Sequence, residues 1–205
     1  MAARWGFGIR SQVVNHGEKE VLLVTKILAR GAMSALLLAL MAGCATAPSS
    51  GPGPLRAPPG VTLPLPARVA VQVNPTMPGT QTVEFRGETW QYADAELMQQ
   101  AATNVFRQVF AEVGTPERVG APTVTFQLNG SSSVNPVMSE YYANATATIF
   151  QGGNTYVQPI ASFSGTGQAS QPNFTRGGIA QAYEGAFRQI ANQLLADPNL
   201  VARLR

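Results

Sequence analysis

The chain has few of the side chains that most often carry out chemistry, with one cysteine, Cys44, and one histidine, His16, among 205 residues. Residues 45–205 therefore contain neither. This excludes Ser-His and Cys-His nucleophile pairs from that part of the chain. It also removes the usual ligands of zinc, copper and haem. We therefore predict a protein that is not an enzyme and that holds no metal or dissociable cofactor.

Carboxylates are also sparse after Cys44, where nine acidic residues are scattered along the sequence. The closest pair, Asp94 and Glu96, lies where a helix is predicted to begin. Acidic residues at such positions favour the helix dipole, and Asp94 is a suitable N-cap. A hydrolase that uses carboxylates alone stays as a third and least favoured hypothesis.

The net positive charge of the chain comes from the residues before Cys44. Five of the 14 basic residues and two of the 11 acidic residues precede Cys44, which leaves nine of each after it and no lysine. The region after Cys44 is thus formally neutral, although the whole chain carries +3. No basic surface for nucleic acid is expected.

The region before Cys44 has the pattern of an export leader. Lys26 and Arg30 precede an apolar run, residues 32–42, which is about half the roughly 20 residues that a membrane span needs. Ala42-Gly43-Cys44 resembles the lipobox of bacterial lipoproteins. That resemblance implies removal of residues 1–43, a diacylglycerol on the Cys44 thiol and an acyl chain on its new amino terminus. The stretch before Lys26 is unusually long for a leader, and we interpret residues 1–23 as a gene-start error.

The residue after Cys44 bears on localisation. In the sorting rule of enteric bacteria, Asp at this position retains a lipoprotein in the inner membrane, and this chain has Ala45. The resemblance therefore implies an anchor in the outer membrane, at its periplasmic face.

Residues 44–66 are predicted to be a linker rich in Pro, Gly, Ser and Ala. Prolines favour extended polyproline conformations, so the 22 residues after Cys44 would reach roughly 70 Å at about 3.1 Å per residue. A proline-rich recognition site is the alternative. Residues 67–205 suit a single periplasmic domain.

Hydrophobic periodicity predicts the elements of that domain. The predicted strands are residues 68–73, 82–85, 123–128, 141–150 and 156–166, with 131–136 as a loop. The predicted helices are residues 94–113 and 177–196, with Thr175 as a cap, followed by a short turn of helix from Pro198. Because Pro159 cannot donate a ladder hydrogen bond, the last strand is expected at a sheet edge.

These elements predict an α+β fold. Alternating strands joined by short turns imply a mainly antiparallel sheet of four to five strands with one wet face. Two long helices bury their apolar stripes on the other face, which makes a two-layer sandwich. The alanines at 143, 145 and 147 would allow a helix to approach the sheet closely.

The order of these elements, with the lipobox at Cys44 and the closing segment Leu194–Leu200, resembles the YajG-type family of small bacterial lipoproteins. The outline is also similar to auxiliary lipoproteins of ABC transporters and to activators of peptidoglycan synthases. The resemblance carries over only one functional residue, Cys44, as the site of lipidation.

We predict a lipid-anchored, non-catalytic envelope protein that binds a periplasmic or outer-membrane protein partner in assembly, transport or peptidoglycan synthesis. The alternative is a periplasmic carrier or sensor of an apolar or glycan ligand. One face of the sheet is an ordinary solvated face, where Thr and Tyr are simply good strand formers, or it is a surface that contacts the partner. Exposed aromatics are typical of binding surfaces, so we predict partner contact at this face. The expected residues are Tyr142, Thr146, Thr148, Phe150, Thr125 and Gln127. If Tyr142 and Phe150 were core residues instead, the strand faces would be reversed.

Overall fold

The structure, a computed structural model, describes residues 53–171 and 175–205. These residues lie within one compact unit, Ser50–Arg205. The leader, Cys44 and the first part of the predicted linker lie outside the described residues, so the expectations for them stay predictions.

A five-stranded sheet in the order β4-β1-β5-β6-β7 forms the centre of the fold. Its strands are β1 (Leu65–Pro75), β4 (Phe110–Gly114), β5 (Val124–Asn135), β6 (Glu140–Gln151) and β7 (Ala161–Ser170). Strand β1 lies parallel to both β4 and β5, whereas β5, β6 and β7 are antiparallel. A separate antiparallel hairpin is formed by β2 (Thr80–Phe85) and β3 (Glu88–Ala93).

Helices α1 and α3 pack on one face of this sheet. The helices are α1 (Asp94–Phe106), α2 (Pro116–Val119), α3 (Arg176–Ala196) and α4 (Pro198–Leu204). Thr175 caps α3 as predicted, since its hydroxyl accepts a hydrogen bond from the Gly178 amide. The α+β fold class is confirmed, although α1 has only 13 residues and is not the long helix expected.

The predicted helix 94–113 was wrong after Phe106. The chain turns there, and Phe110 and Val113 lie in β4, opposite Leu65 and Val69 of β1. Apolar residues spaced three and four apart fit a continuous helix, but they also fit a helix followed by a buried strand. The parallel pairing with β1 is non-local, so no spacing within residues 94–113 reveals it.

The strand boundaries also differ from prediction. The expected loop 131–136 largely belongs to β5, which pairs with β6 as far as Asn135 opposite Glu140. Strand β3 was not predicted, and β7 begins at Ala161, beyond Pro159. Strand β7 does lie at the edge of the sheet, as predicted, but Pro159 lies outside the strand and is not the reason.

Small residues allow α3 to contact the sheet backbone. A Cβ added at Gly165 would lie 2.2 Å from the Ala186 carbonyl oxygen, and one at Gly167 would lie 1.8 Å from that of Ala182. Ala145 and Ala143 lie opposite these glycines on β6. The predicted close approach over the β6 alanines is thus extended by two glycines of β7.

Residues 53–64, in the stretch predicted as a linker, pack on the domain. The Arg56 amide donates to Asn192 Oδ1 at 2.7 Å, and Asn192 Nδ2 donates to the Pro54 carbonyl at 3.4 Å. Arg205 Nη2 donates to the Gly60 carbonyl at 2.9 Å. Three apolar side chains of this segment are partly buried against the core: Leu55, Val61 and Leu63. The packed chain therefore begins before residue 67.

Candidate binding face

The sheet face opposite α1 and α3, here called the outer face, carries a grid of uncharged polar side chains. Strand register aligns them in four transverse rows. The first row contains Gln72, Gln127, Thr148 and Ser162, and the second contains Asn74, Asn129, Thr146 and Ser164. The third row contains Ser131, Asn144 and Thr166. The fourth row contains Ser133, Tyr142 and Gln168. Adjacent rows are about 7 Å apart, because every second residue of a strand faces the same way.

Charged residues occur only beyond the ends of this grid. At one end Arg68 Nε donates to Glu112 Oε2 at 2.8 Å, and both side chains are almost half exposed. At the other end Glu140 accepts a hydrogen bond from the Tyr142 hydroxyl at 2.5 Å, which raises the pKa of Tyr142. The four rows thus offer hydroxyls and amides, which both donate and accept hydrogen bonds and carry no net charge.

A depression of about 300 Å³ lies over the second and third rows. Its polar lining residues are Thr76, Asn129, Ser131, Asn144, Thr146, Ser164 and Thr166. Asn129, Asn144 and Thr166 are exposed, so their hydrogen-bonding groups face solvent. Thr146 Oγ1 and Ser164 Oγ lie 3.1 Å apart across β6 and β7.

The structure separates the six predicted partner-contact residues into two groups. Gln127, Thr146 and Thr148 belong to the open grid, and Tyr142 is 37% exposed. The expectation that Phe150 and Thr125 are exposed was wrong, since they are only 6% and 1% exposed. The strand faces themselves were assigned correctly, because Thr125 and Phe150 are cross-strand partners on the outer face.

Helix α2 covers the β4 and β1 side of this end of the outer face. Thr125 and Phe150 share their row with Ala70 and Gly114. A Cβ at Gly114 would lie 3.4 Å from Val119 Cγ2, so α2 lies over the β4 end of this row. Farther along the row, the Thr125 hydroxyl donates to the Gly152 carbonyl at 2.7 Å. The sequence predicts a half-polar strand here, but it gives no sign that a four-residue helix covers one end of the sheet.

Four residues that line the depression are not among the six predicted contact residues: Asn129, Asn144, Ser164 and Thr166. Asn144 lies between Tyr142 and Thr146 in the two-residue period of its strand, so that period places it on this face. Asn129 lies just past the predicted end of β5. Ser164 and Thr166 lie on β7, and the sequence does not show how β7 aligns with β6. Extending the two-residue period of the 123–128 strand would have placed Asn129 beside Gln127.

A second depression, of about 560 Å³, lies along α1. Some of its polar side chains make hydrogen bonds within α1 or to α3. Thr103 Oγ1 donates to the Gln99 carbonyl at 2.8 Å, and Asn104 Nδ2 donates to Glu184 Oε1 at 3.1 Å. This is the ordinary solvated side of a helix, and the outer face is the better candidate site.

Asp94 is the one fully buried carboxylate, 1% exposed, among the described residues. Its Oδ1 accepts hydrogen bonds from Ser132 Oγ at 2.8 Å and from the Tyr183 hydroxyl at 2.9 Å. Burial and the Asp94 charge raise the pKa of Tyr183. The expected N-cap role was wrong, because Ala93 is the cap and Asp94 is the first helical residue. The cluster joins α1, β5 and α3 inside the core, where it has a structural role.

Within residues 53–171 and 175–205, no group of three or more His, Cys, Asp or Glu lies close enough together to hold a metal ion. In the same part of the chain, no helix is long and apolar enough to cross a membrane.

No protein-family model matches the chain, and no curated protein matches it. Among solved structures, a DUF330 protein from Xanthomonas campestris is 15% identical, with a TM-score of 0.41 over 69% of this chain and 89% of that one. A PelC dodecamer from Paraburkholderia phytofirmans is 16% identical, with a TM-score of 0.34 over 75% and 100%. A candidate lipoprotein from Caulobacter crescentus is 12% identical, with a TM-score of 0.30 over 65% and 88%. These are distant similarities that leave the function open, and the YajG-type resemblance stays a prediction.

Proposed function

We propose that this is a lipid-anchored, non-catalytic protein of the bacterial envelope that binds another envelope component through its outer face. The observation that carries this proposal is the open grid of polar side chains, with α1 and α3 packed on the opposite side of the sheet. A sheet face of this extent is available to a partner without any rearrangement of the core.

The sequence supports the two other parts of the proposal. The leader and Cys44 resemble a lipobox, which implies attachment at the periplasmic face of the outer membrane. Residues 45–205 contain neither histidine nor cysteine, which favours binding over catalysis. A protein partner in envelope assembly, transport or peptidoglycan synthesis is one class of component that such a face could meet.

The composition of the outer face favours the second candidate, a glycan ligand. Interfaces between proteins are enriched in aromatic residues at their centre. Tyr142 is the single aromatic side chain in the four rows, and Phe150 in the neighbouring row is buried. Hydroxyls and amides fill the other positions, and these groups complement the hydroxyls of a sugar.

Site-specific photo-crosslinking tests whether the outer face binds anything. A photoreactive amino acid replaces Thr146 in cells that make the lipidated protein, and a second strain carries it at Asn199, which is exposed on α4. We expect a discrete adduct from position 146 and none from position 199. Adducts of equal yield from both sites, or from neither, would contradict the proposed surface.

The anchor requires a separate test. Cys44→Ser removes the thiol that would carry diacylglycerol, so labelled palmitate should enter the natural protein and not the variant. Fractionation should place the natural protein with outer-membrane markers. Palmitate incorporation into Cys44→Ser would refute lipidation at this residue, and recovery with inner-membrane markers would refute the localisation.

A further inference from the structure

We infer that the ligand of the outer face is an uncharged glycan chain, seated at the depression over the second and third rows. This inference rests on the proposed function, because it names the class of component that the face binds. It follows from three observations: the charge of the face, the layout of its hydrogen-bonding groups and the position of Tyr142.

The absence of charged side chains from the four rows favours a neutral ligand over an anionic or a cationic one. Binding of a phosphorylated or carboxylated ligand calls for Arg or Lys, and binding of a cationic ligand calls for carboxylates. The four rows contain neither. A charged ligand would lose hydration on this face without gaining an opposite charge.

Among neutral ligands, the hydrogen-bonding groups of the depression favour a polyhydroxylated ligand over an apolar one. An apolar ligand would leave the Asn, Thr and Ser groups of the depression desolvated and unpaired, at a cost of about 1–3 kcal/mol for each such group. Sugar hydroxyls both donate and accept, as do the side chains of Asn129, Asn144 and Thr166. A polyhydroxylated ligand can therefore donate hydrogen bonds to the lining groups or accept hydrogen bonds from them.

The layout suits a chain that crosses the strands. Neighbouring strands lie about 4.8 Å apart, so a ligand running along one row meets a polar side chain at each strand. In the second row these side chains are Asn74, Asn129, Thr146 and Ser164. A volume of about 300 Å³ is at the lower limit for small-ligand pockets. The depression would thus seat part of a ligand while the rest lies over neighbouring rows.

Tyr142 supplies the apolar contact that a sugar ring also needs. It lies in the fourth row, next to Asn144 and Thr166 of the third. The bond to Glu140 restrains its hydroxyl, and 37% of the residue is exposed. Its ring offers an aromatic surface for the C–H side of a pyranose beside the hydrogen-bonding groups of the depression.

The test uses the full-length lipidated protein, purified in a polyoxyethylene detergent that contains no sugar. Three hexasaccharides that differ in charge serve as probes: N-acetylchitohexaose, which is neutral, its cationic deacetylated form, and anionic hexagalacturonate. Cellohexaose is a second neutral probe. Titration calorimetry is expected to show saturable binding of a neutral hexasaccharide at least tenfold tighter than that of either charged one.

Two double variants locate the site. Asn144→Ala with Thr146→Val removes polar groups from the depression, and we expect it to weaken binding of the neutral probe tenfold or more. Thr80→Val with Thr82→Val likewise replaces two polar side chains by apolar ones, at exposed positions of the β2–β3 hairpin, and it should leave binding unchanged. Circular dichroism and melting curves confirm that both variants are folded.

The outcomes distinguish this inference from the proposed function. If neither neutral hexasaccharide binds but position 146 crosslinks to a protein, the glycan inference is overturned and the proposed function stands. If a charged probe binds as tightly as a neutral one, the inference is also overturned. Absence of both sugar binding and crosslinking would overturn the inference and the proposed function together.

Discussion

Gly167 lies where the backbone of β7 meets the backbone of α3. A side chain there would place Cβ 1.8 Å from the Ala182 carbonyl oxygen, and neither backbone can give way cheaply. We expect Gly167→Ala to lower the free energy of unfolding by about 3 kcal/mol or more. Gly153→Ala is the control, because its Cβ would make only ordinary contacts, 3.7 Å and beyond, with Pro122. Chemical denaturation that gave the two variants equal stability would contradict this account of the packing.

Asp94 is expected to matter for stability, in contrast to its neighbour Glu96. Asp94→Ala leaves the buried hydroxyls of Ser132 and Tyr183 without their acceptor, and we expect a loss of about 3 kcal/mol. Glu96 is exposed and contributes through the helix dipole, so Glu96→Ala should cost less than about 1 kcal/mol. Equal losses in denaturant titrations would show that Asp94 acts only as an acid in the first helical turn.

The same cluster predicts how stability depends on alkaline pH. Burial and Asp94 raise the pKa of Tyr183 above its ordinary value of 10.0, and burial also raises that of Tyr92. Above pH 10 the unfolded chain therefore loses protons that the folded protein keeps. Unfolding should become easier as pH rises, by up to about 1.4 kcal/mol per pH unit for each such tyrosine. Tyr183→Phe should be less stable at pH 7 yet show a shallower alkaline decline, and an unchanged slope would contradict this origin.

At the scale of elements, α3 protects the free edge of β7. Gln189 Oε1 accepts a hydrogen bond from the Thr166 amide at 2.8 Å, and Gln193 Nε2 donates to the Ser164 carbonyl at 2.9 Å. Edge strands with unpaired backbone groups are templates for association. We expect Gln189→Ala with Gln193→Ala to lower the free energy of unfolding by about 2 kcal/mol and to cause association that increases with concentration.

Sedimentation velocity at several protein concentrations measures that association. Gln100→Ala, at an exposed position of α1, is the control and should remain in the same state as the natural protein. A double variant that sedimented like Gln100→Ala at every concentration would show that the two glutamines do not protect the edge.

The elements also show what the sequence could and could not predict. The period of two in residues 123–128 and 141–150 depends on local burial, and both strands were assigned to the correct faces. The ends of α1 and β5 depend on partners far along the chain, namely β1 and β6. The candidate site was partly predictable, because some of its residues follow from local strand period. Thr146, Thr148 and Gln127 follow from strand period, whereas the burial of Phe150, which is 6% exposed, does not follow from that period.

At the scale of the whole molecule, residues 53–64 would limit how far the domain lies from the membrane if Cys44 carries the proposed lipid anchor. The backbone bonds of Arg56 and Pro54 to Asn192, with that of Gly60 to Arg205, hold this segment against α3 and α4. Only the chain from Cys44 to Pro54 is then left to separate anchor and domain. Ten residues extend to about 35 Å at most, half of the roughly 70 Å expected for a free linker of 22 residues.

Limited trypsin digestion of the full-length protein tests this attachment at the bond that follows Arg56. In the natural protein the Arg56–Ala57 bond should be cut slowly, because Asn192 holds the Arg56 backbone. Asn192→Ala removes two hydrogen bonds worth about 1 kcal/mol each, and cleavage should accelerate about tenfold or more when local opening limits the rate. Asn199→Ala, an exposed change on α4, should leave the rate unchanged. Equal cleavage rates in all three proteins would mean that Asn192 does not restrain the segment, and the distance from the membrane would return to that of the longer linker.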